Sequence, residues 1–458
     1  MPLNNQQKIK APQWLIIKAV SAPIILGAVL LMLPPASRGG QWTDPLTALF
    51  MATSAVCVTG HTVVDPGTYF SHFGQLVLLG LFQLGGLGFM TLATTCLILL
   101  GRRLSIQSER TLTAALGKEQ AKELRRLLYR TIVFAFAAEA LGTLILMSRL
   151  IGSHGFTAGR AFFHGVFHAV SAFCNAGFSL YAQSLIDLRT DKFFILAIAA
   201  LVILGGLGFL VINEFARFKF WRENRMARGR LSLHTQITVR ATLVLIVIGF
   251  LAFALLEWDA TLAPLDVSNR LACALFQSVT PRTAGFAVVD MAQTHAATRF
   301  VTMLLMFIGG SPGSAAGGIK TTTAVVLLFT TLAMIRGKRE TTLLGRTISG
   351  QLVAASLSIF LLALAVLGVL YGLLLVSEEQ ALVAAQFTAE GLLFETVSAC
   401  GTVGLTTGIL PQLSSAGKLL IMLGMFIGRV GPLTMALVVG LKETRSLVRF
   451  PQEDVNIG

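Results

Sequence analysis

The sequence predicts an all-α integral membrane protein that is built from four similar repeats. The chain has 458 residues, of which 54% are hydrophobic and only 13% are charged, and its mean hydropathy is +0.75. A water-soluble domain could not bury so much apolar surface in one core. A short glycine-centred pattern also recurs four times along the chain, and an internal repeat of this kind defines the architecture.

The four copies of the pattern each contain a brief apolar run, a single glycine, and a continuation of hydroxyl or small apolar residues. They read SAVCVTGHTV, SAFCNAGFSL, SVTPRTAGFAV and SACGTVGLTTG, centred on Gly60, Gly177, Gly285 and Gly404. A second glycine follows each copy 24 to 28 residues later, at Gly85, Gly205, Gly309 and Gly428. Ser278 lies seven residues before its glycine, whereas the serine of every other copy lies six before, so the third copy is interpreted as carrying an extra residue.

Long and short apolar segments alternate along the chain. Eight runs of about 20 residues or more can cross a hydrocarbon core of about 30 Å. They cover approximately residues 14–35, 74–100, 127–151, 193–216, 237–258, 299–335, 352–376 and 418–441. Shorter apolar segments precede the glycine copies, at 45–57, 161–174, 268–280 and 388–400. These are too short to span a bilayer, which predicts re-entrant half-helices. Each repeat is then a helix, a half-helix with its loop, and a second helix.

The positions of lysine and arginine predict the orientation in the membrane. Basic residues concentrate in the links at 101–130 and 217–240, in the link after residue 335, and beyond the last span. By the positive-inside rule these links and both termini are cytoplasmic, and the glycine loops open to the outside. The formal charge of +14 therefore indicates contact with anionic lipid or a cytosolic partner. No nucleic-acid partner is expected, because no basic run is interleaved with stacking aromatic residues.

Four glycine loops at membrane depth favour a cation pathway. A dehydrated cation needs a ring of oxygens, and backbone carbonyls supply them without a fixed charge. Glycine permits the positive φ that turns successive carbonyls toward one axis. A half-helix that ends before the loop also points its partly negative C-terminus at the cavity. Four copies in one chain predict a pseudo-fourfold ring around one pore.

These motifs resemble the Trk/Ktr/HKT superfamily of potassium transporters. The resemblance is carried by TSAVCVTG, FHAVSAFCNAGFSL, TPRTAGF, ETVSACGTVGLTTG, IGGSPGSAAGGIKTTT and MFIGRVGPLT. It is strongest with the membrane subunits of bacterial Ktr systems, because the chain starts directly with the first repeat. The resemblance implies four membrane-pore-membrane repeats, at 1–100, 101–216, 217–340 and 341–458. It also implies potassium transport across the inner membrane by a homodimer, gated by a cytosolic nucleotide-binding ring of the KtrA or TrkA type.

The resemblance assigns three residues of each loop to a selectivity filter. They are Val58, Thr59 and Gly60; Asn175, Ala176 and Gly177; Thr283, Ala284 and Gly285; and Thr402, Val403 and Gly404. In plant relatives a serine in place of the first glycine accompanies sodium transport, so Gly60 favours potassium. His61 departs from the family pattern, in which leucine is expected. A neutral His61 would only be bulky, whereas a protonated one would repel cations near the outer mouth.

The resemblance also assigns a gate below the filter. Pro312 and five glycines within residues 309–318 should break the sixth span into a loop, although a packing kink is the plainer alternative. The gating residues would be Gly309, Gly310, Ser311, Pro312, Gly313, Ser314, Gly317 and Gly318, with Lys320 and Arg429. A central arginine is costly in a membrane, so Arg429 should face the cavity. The resemblance implies that it lies beneath the filter, contacts this loop and adds a positive barrier. The alternatives are a snorkelling Arg429 and an ordinary interfacial Lys320.

The expected substrate is the potassium ion, with sodium as a candidate activator, no organic cofactor and no enzymatic activity. A transporter of the same superfamily that prefers sodium or couples to it is the first alternative. A membrane enzyme that uses His164, His168 and a carboxylate on a metal is a second. The two histidines lie four residues apart, and helix packing or hydrogen bonding in the outer vestibule is their plainer role. A carrier with inverted repeats is a third, and it would require two related halves instead of four similar units.

Overall fold

The computed structural model describes residues 12–100, 113–217 and 231–431, whose helices follow one another in four groups. The first group contains α1 (Pro12–Met32), α2 (Pro45–Val56), α3 (Pro66–Tyr69) and α4 (His72–Leu100). The second contains α5 (Thr113–His154), α6 (Ala158–Phe173), α7 (Lys192–Leu207) and α8 (Phe209–Arg217). The third contains α9 (Leu233–Glu257), α10 (Val267–Val279), α11 (Ala296–Phe307) and α12 (Thr321–Ile335). The fourth contains α13 (Gly350–Ser377), α14 (Glu379–Val383), α15 (Ala389–Gly401) and α16 (Ser415–Val430).

A short helix occupies the middle of each group, as the sequence predicts. The four are α2, α6, α10 and α15, and their bounds lie within three residues of the predicted segments. Three begin at a capping side chain: Asp44 accepts a hydrogen bond from the amide of Thr47, Asp266 from that of Ser268, and Thr388 from that of Gly391. Such caps satisfy amides that have no partner within the helix. The second half of each short helix is almost entirely buried, so these helices form the centre of the molecule.

Apolar helices form the outside of the molecule. Residues Tyr129–His154 of α5, the whole of α9 and the whole of α13 are each long and apolar enough to cross a membrane, and the bent pair α7 and α8 adds a fourth if it counts as one span. Shorter apolar helices stand at the first, second and sixth predicted spans within the described residues. Large apolar side chains point outward, as at Leu255 and Val376, which are 80% and 75% exposed. An exterior of this kind suits a multi-pass membrane protein.

The fourth predicted span is not one continuous helix, which corrects the sequence analysis. It bends by 98° between α7 and α8, at Gly208, whose φ is +84°. The bend frees the amide of Phe209, which donates to the carbonyl of Gly313 at 3.2 Å. The sixth span breaks as predicted, because residues 308–320 between α11 and α12 are not helical.

Some predicted features reach beyond the described residues. The last span was expected over 418–441, but α16 ends at Val430 and Gly431 has a φ of +93°. Arg429 therefore lies in the last turn of α16. Residues 432–441, the basic residues at 101–112 and 218–230, and both chain ends lie outside the described residues.

A short β-hairpin joins α12 to α13 and is a small exception to the all-α prediction. Its strands are β1 (Thr342–Leu343) and β2 (Arg346–Thr347), which pair antiparallel. Leu343 is 2% exposed and packs with Ile237 and Val326. The hairpin is thus attached to α9 and α12.

Two buried glutamates join helices within the third and fourth groups in the same way. Glu257, the last residue of α9, accepts a hydrogen bond from the amide of His295, directly before α11, at 2.9 Å. Glu378, directly after α13, accepts one from the amide of Ser414, directly before α16, at 3.2 Å. A carboxylate at the N-terminus of a helix satisfies free amides and interacts favourably with the helix dipole. Each glutamate therefore fixes the second long helix of its group to the first.

Replacing Glu378 with alanine should destabilise the fold. The change leaves the amide of Ser414 without its acceptor, and a hydrogen bond to a charged group contributes roughly 1.5 to 3 kcal/mol. We expect a lower midpoint of thermal unfolding for the purified Glu378→Ala protein in detergent. Glu379→Ala is the matched control, because Glu379 is exposed. Equal midpoints for the two variants would contradict this role of Glu378.

Candidate ion filter and gate

The four glycine loops share one backbone conformation. In every loop the residue two before the glycine and the glycine itself adopt positive φ, between 50° and 94°. The pairs are Val58 and Gly60, Asn175 and Gly177, Thr283 and Gly285, and Thr402 and Gly404. The residue between them does not have positive φ, so the handedness alternates along each triplet. Because such alternation turns successive carbonyls toward the same side, each triplet can present a row of oxygens.

This conformation is strained at the first residue of three of the four triplets, whereas Asn175 in the second is a residue type that tolerates positive φ. Val58, Thr283 and Thr402 are β-branched, and such residues are outliers at positive φ. Each strained residue costs about 1 to 3 kcal/mol and persists only where its surroundings fix it. All three are buried, so the packing around the loops holds them in place.

The loops contact one another in a closed ring. A Cβ on Gly60 would meet the carbonyl oxygen of Ala176 in the second loop at 2.5 Å. The remaining contacts repeat this relation in chain order: Gly177 with the oxygen of Ala284, Gly285 with that of Val403, and Gly404 with that of Thr59. The fourth contact returns to the first loop. A side chain at any of the four glycines would therefore clash with the backbone of the next loop.

A hydroxyl residue supports the middle of each triplet. Its carbonyl accepts a hydrogen bond from the amide of the middle residue, over 2.7 to 2.9 Å. The four residues are Ser54, Ser171, Thr280 and Ser398. Thr280 lies five residues before its glycine and the others lie six before. Counted from the supporting residue, the third copy is therefore one residue shorter than the others and not one longer as the sequence analysis interpreted it, although α10 itself ends earlier, at Val279. Ser278 instead donates to the carbonyl of Ile246 in α9.

The second glycine of three groups lets a long helix pack closely on the end of the short one. A Cβ at these positions would collide with the fourth carbonyl before the loop glycine. The pairs are Gly85 with Val56, Gly205 with Phe173, and Gly428 with Cys400. The third group differs, since Gly309 lies against the carbonyl of Gly317 in its own broken span.

Two short helices carry a polar side chain that holds the segment leaving the loop. Glu395 accepts hydrogen bonds from Thr406 Oγ1 and from the following amide, both at 2.7 Å. His168 stands at the same offset from its glycine, and its Nε2 lies 3.1 Å from Ser179 Oγ and 3.4 Å from the following amide nitrogen. The sequence favoured helix packing or hydrogen bonding beside the cavity over a metal site for His168, and these hydrogen bonds agree with that interpretation. The offset that it shares with Glu395, nine residues before the glycine, is a sequence signal for the role.

His61 joins the first loop to the fourth. The side chain is fully buried, with Nε2 3.0 Å from Ser398 Oγ, 3.2 Å from the carbonyl of Leu405 and 3.4 Å from Glu395 Oε2. The corresponding residues of the other loops are apolar: Phe178, Phe286 and Leu405. His61 therefore forms a polar connection at the point where the ring closes, and it does not project into the outer cavity.

The four loops form the floor of an outer cavity of about 750 Å³. All four loop glycines line it, together with charged residues from the surrounding segments. The charged residues are Asp65, Arg189 and Asp290. Most of the other lining residues follow the loop glycines in the sequence. The cavity therefore gives solvent a wide approach to the ring from the side on which the chain leaves the loops.

The broken part of the sixth span packs against the bend in the fourth. The amide of Ser311 donates to the carbonyl of Gly206 at 3.1 Å, and the amide of Ala315 to that of Gly205 at 3.4 Å. A Cβ on Gly317 would collide with the side chain of Thr402, in the fourth glycine loop. The segment thus contacts both this loop and α7. The other predicted gating residues, Gly309, Gly310, Pro312, Gly313, Ser314 and Gly318, lie within it.

Arg429 contacts this segment directly. Its guanidinium donates to the carbonyl of Ala315, and also to that of Gly85 in α4 at 2.6 Å. The residue is only 2% exposed, so its charge is held inside the protein and does not snorkel to the surface. Lys320, at the end of the segment, donates to the carbonyl of Ala316 at 2.6 Å.

The alternative metal site is incomplete. The rings of His164 and His168 stack with centroids 6.1 Å apart, and His168 already binds Ser179. Among the described residues, no group of three His, Cys, Asp or Glu side chains could hold a metal ion. The geometry therefore gives this alternative no support.

Replacing His61 with phenylalanine should weaken the closure of the ring. Phenylalanine already occupies this position in the second and third loops, but it cannot bond to Ser398 Oγ. An unsatisfied buried polar group costs roughly 1 to 3 kcal/mol, so we expect a lower midpoint of thermal unfolding. His72→Phe, at an exposed histidine, is the control. If both variants unfold like the unmodified protein, His61 does not contribute to closure.

The similarities to known proteins agree with a candidate ion site. Residues 6–447 match the TrkH family, which is described as a cation transport protein. Ktr system potassium uptake protein B from Bacillus subtilis is 39% identical, covering 95% of this chain and 94% of that protein. The protein of the same name from Vibrio alginolyticus is 37% identical, covering 100% and 98%. Potassium/sodium uptake protein NtpJ from Enterococcus hirae is 36% identical, covering 99% and 98%.

The fold also matches a solved structure. The crystal structure of the potassium transporter TrkH from Vibrio parahaemolyticus aligns with a TM-score of 0.71 at 18% identity, covering 96% of this chain and 87% of that chain. At this identity the match shows a shared fold alone. The family match and the three relatives, however, extend over nearly the whole sequence. The chain therefore belongs to the TrkH family of cation transport proteins.

Proposed function

We propose that this chain is the potassium-conducting membrane subunit of a Ktr-type uptake system. The observation that carries the proposal is the ring of four buried loops with the same alternation of φ. The names of the Bacillus subtilis and Vibrio alginolyticus relatives, which describe potassium uptake, support potassium as the ion. The role is transport, and no enzymatic step is required of the chain.

In this proposal the twelve residues of the four triplets form the selectivity filter. Their carbonyls replace the water shell of the ion, and the C-termini of the four short helices add a favourable negative potential. The closed ring of glycine contacts supports a pseudo-fourfold arrangement around one pore. A membrane potential of 100 mV supplies about 2.3 kcal/mol for each inward charge, so conduction can be driven without hydrolysis.

The gate in this proposal is the segment 309–318, together with Lys320 and Arg429. Its contacts with the fourth filter triplet and with the bend at Gly208 support this role. An ion that leaves the filter must pass the segment, and Arg429 adds a positive barrier beside it. Movement of the segment away from the pore would lower both obstacles.

The arrangement in the membrane follows from the four groups of helices. We propose eight spanning segments and four re-entrant half-helices, in repeats at 1–100, 101–216, 217–340 and 341–458. Both termini would be cytoplasmic, in the inner membrane of the cell. The links between the groups fall close to these boundaries, which supports the division.

The partners in this proposal are a second copy of the chain, membrane lipids and a cytosolic regulator. The relatives' names describe a Ktr system, which supports a second kind of subunit. The resemblance in sequence supports a homodimer and a nucleotide-binding ring of the KtrA or TrkA type. Sodium remains a second candidate ion, because the Enterococcus hirae relative is named a potassium/sodium uptake protein.

The first test replaces Gly60 with serine. The new Cβ would meet the carbonyl oxygen of Ala176, and the serine would have to adopt the positive φ of Gly60. The first triplet must therefore shift. Strain of about 1 to 3 kcal/mol corresponds to roughly 5- to 160-fold in rate. We expect a loss of this size in rubidium uptake and in potassium-limited growth, in cells without other potassium transporters that also express a Ktr-type regulator.

Gly40→Ser is the matched control for this test. Gly40 also has positive φ, but a Cβ there would meet nothing within 4 Å. Equal uptake by the two serine variants, at equal membrane expression, would refute the filter assignment. A switch of the Gly60→Ser variant from rubidium to sodium uptake would keep the filter and show that it selects between these ions.

A second test removes the charge of Arg429. If this charge is a barrier beside the pathway, Arg429→Gln should raise rubidium flux several-fold in proteoliposomes that lack the regulator. Lys418→Gln removes a charge from the same helix, away from the broken span, and should leave flux unchanged. Unchanged or lower flux in folded Arg429→Gln would argue against a barrier.

A further inference from the structure

We propose that the hairpin surface, defined as residues 334–348, binds anionic phospholipid headgroups of the inner leaflet. The orientation used here rests on the proposed function, which places the link between α12 and α13 on the cytoplasmic side. Both helices lie in the membrane, so this short link lies at the level of the headgroups. The surface is connected to the gate segment through α12 and also through α9, where Ile237 packs on the hairpin and Thr238 Oγ1 lies 3.5 Å from Ser311 Oγ.

The first observation is the charge of the hairpin surface. Four basic side chains on it are exposed: Arg336, Lys338, Arg339 and Arg346. Glu340 is the one acidic residue between positions 334 and 348, and its carboxylate accepts from Thr347 Oγ1 at 3.4 Å. The surface therefore has an excess of positive charge close to the membrane, where an anionic headgroup is attracted.

The second observation is a leucine at the tip of the hairpin. Leu344 and Gly345 form the two-residue turn, both with positive φ, at 50° and 75°. Asparagine and glycine favour this turn, and leucine is strained in it. Leu344 is nevertheless 46% exposed, so packing among the described residues does not account for it. A large apolar side chain between basic ones is suited to the boundary between headgroups and acyl chains.

The third observation is continuity with the lipid-facing exterior. Met334 and Ile335, in the last turn of α12, are 71% and 76% exposed. They connect the apolar outside of α12 to the base of the hairpin. This continuity favours a lipid over a soluble acidic protein as the occupant, because the apolar part of the surface already belongs to the membrane.

The hairpin is also connected rigidly to the gate segment. Leu343 is buried against α9 and α12, and Thr341 Oγ1 donates to Thr330 Oγ1 at 3.0 Å. At its other end α12 begins at Thr321, whose amide donates to the carbonyl of Gly310 at 3.1 Å. A lipid that holds the hairpin therefore biases the position of α12 and of the segment before it.

The test compares lipid binding and ion flux in the full chain. Native mass spectrometry would count phosphatidylglycerol retained on the detergent-purified protein for Arg339→Gln/Arg346→Gln and for Leu344→Asn. We expect about fivefold weaker binding for each arginine removed, and weaker binding by Leu344→Asn as well. Asparagine suits the turn, so an unfolding midpoint no lower than that of the unmodified protein would show that the hairpin is intact.

The control removes two arginines from the side of the membrane opposite to the hairpin surface in the proposed orientation. Arg38→Gln/Arg160→Gln changes the same number of exposed charges and should retain phosphatidylglycerol normally. Rubidium flux would be measured in vesicles of phosphatidylcholine alone and of equal parts phosphatidylcholine and phosphatidylglycerol. We expect phosphatidylglycerol to change the flux of the unmodified protein and to have a smaller effect on the hairpin variants.

Two results would overturn the proposal. The first is normal phosphatidylglycerol retention by both hairpin variants. The second is a loss of phosphatidylglycerol from the control variant that equals the loss from the hairpin variants. If the variants instead lose only the cytosolic regulator, the surface is a protein interface and the lipid assignment is wrong. Absence of flux from the unmodified protein in both kinds of vesicle would refute the proposed function, while the mass-spectrometric comparison would still decide lipid binding.

Discussion

Closure of the loop ring sets the geometry of the elements around it. Because each loop glycine lies against the backbone of the next loop, no loop can move without displacing its neighbour. The short helices must therefore end at nearly the same depth. The long helices must approach those ends closely. Gly205 permits this approach because it has no side chain, and a Cβ there would clash with the carbonyl oxygen of Phe173. Strain at Val58, Thr283 and Thr402 is maintained by this mutual contact.

The third group departs from this scheme, and the departure lies in the segment that we propose as the gate. Gly309 contacts its own broken span, so the end of α10 does not receive the close glycine contact from the second long helix that the other short helices receive, and it packs on α9 at Gly249 instead. The residues released from the helix fill the space beneath the fourth triplet and bind the carbonyls of Gly205 and Gly206. A segment held by a few main-chain hydrogen bonds at a position without a regular helix is easier to displace than a packed helix.

The sequence was sufficient to predict features that depend on composition and local chemistry. Short apolar length predicted the half-helices, and Pro312 among glycines predicted the break after α11. It was insufficient for features that depend on distant contacts. The hexapeptide LGGLGF occurs at 84–89 and at 204–209, yet the first copy stays helical within α4 and the second bends at Gly208. The acceptor for Phe209 is Gly313, more than a hundred residues away, so no local reading could separate the two copies. The role of Thr280 was missed because alignment by Ser278 ignored which carbonyl the loop uses.

Arg429 links the packing around the closed ring to the segment that we propose as the gate. A guanidinium in a poorly solvated interior needs acceptors, and two of them come from separate elements, Ala315 in the broken span and Gly85 in α4. If the segment moves, the bond to Ala315 is lost, and the charge must find water or another carbonyl. A pore that fills with water as it opens would supply that water. Hydration of Arg429 and opening of the proposed gate would then favour each other. Arg429 could therefore stabilise the closed state without preventing the gate from opening.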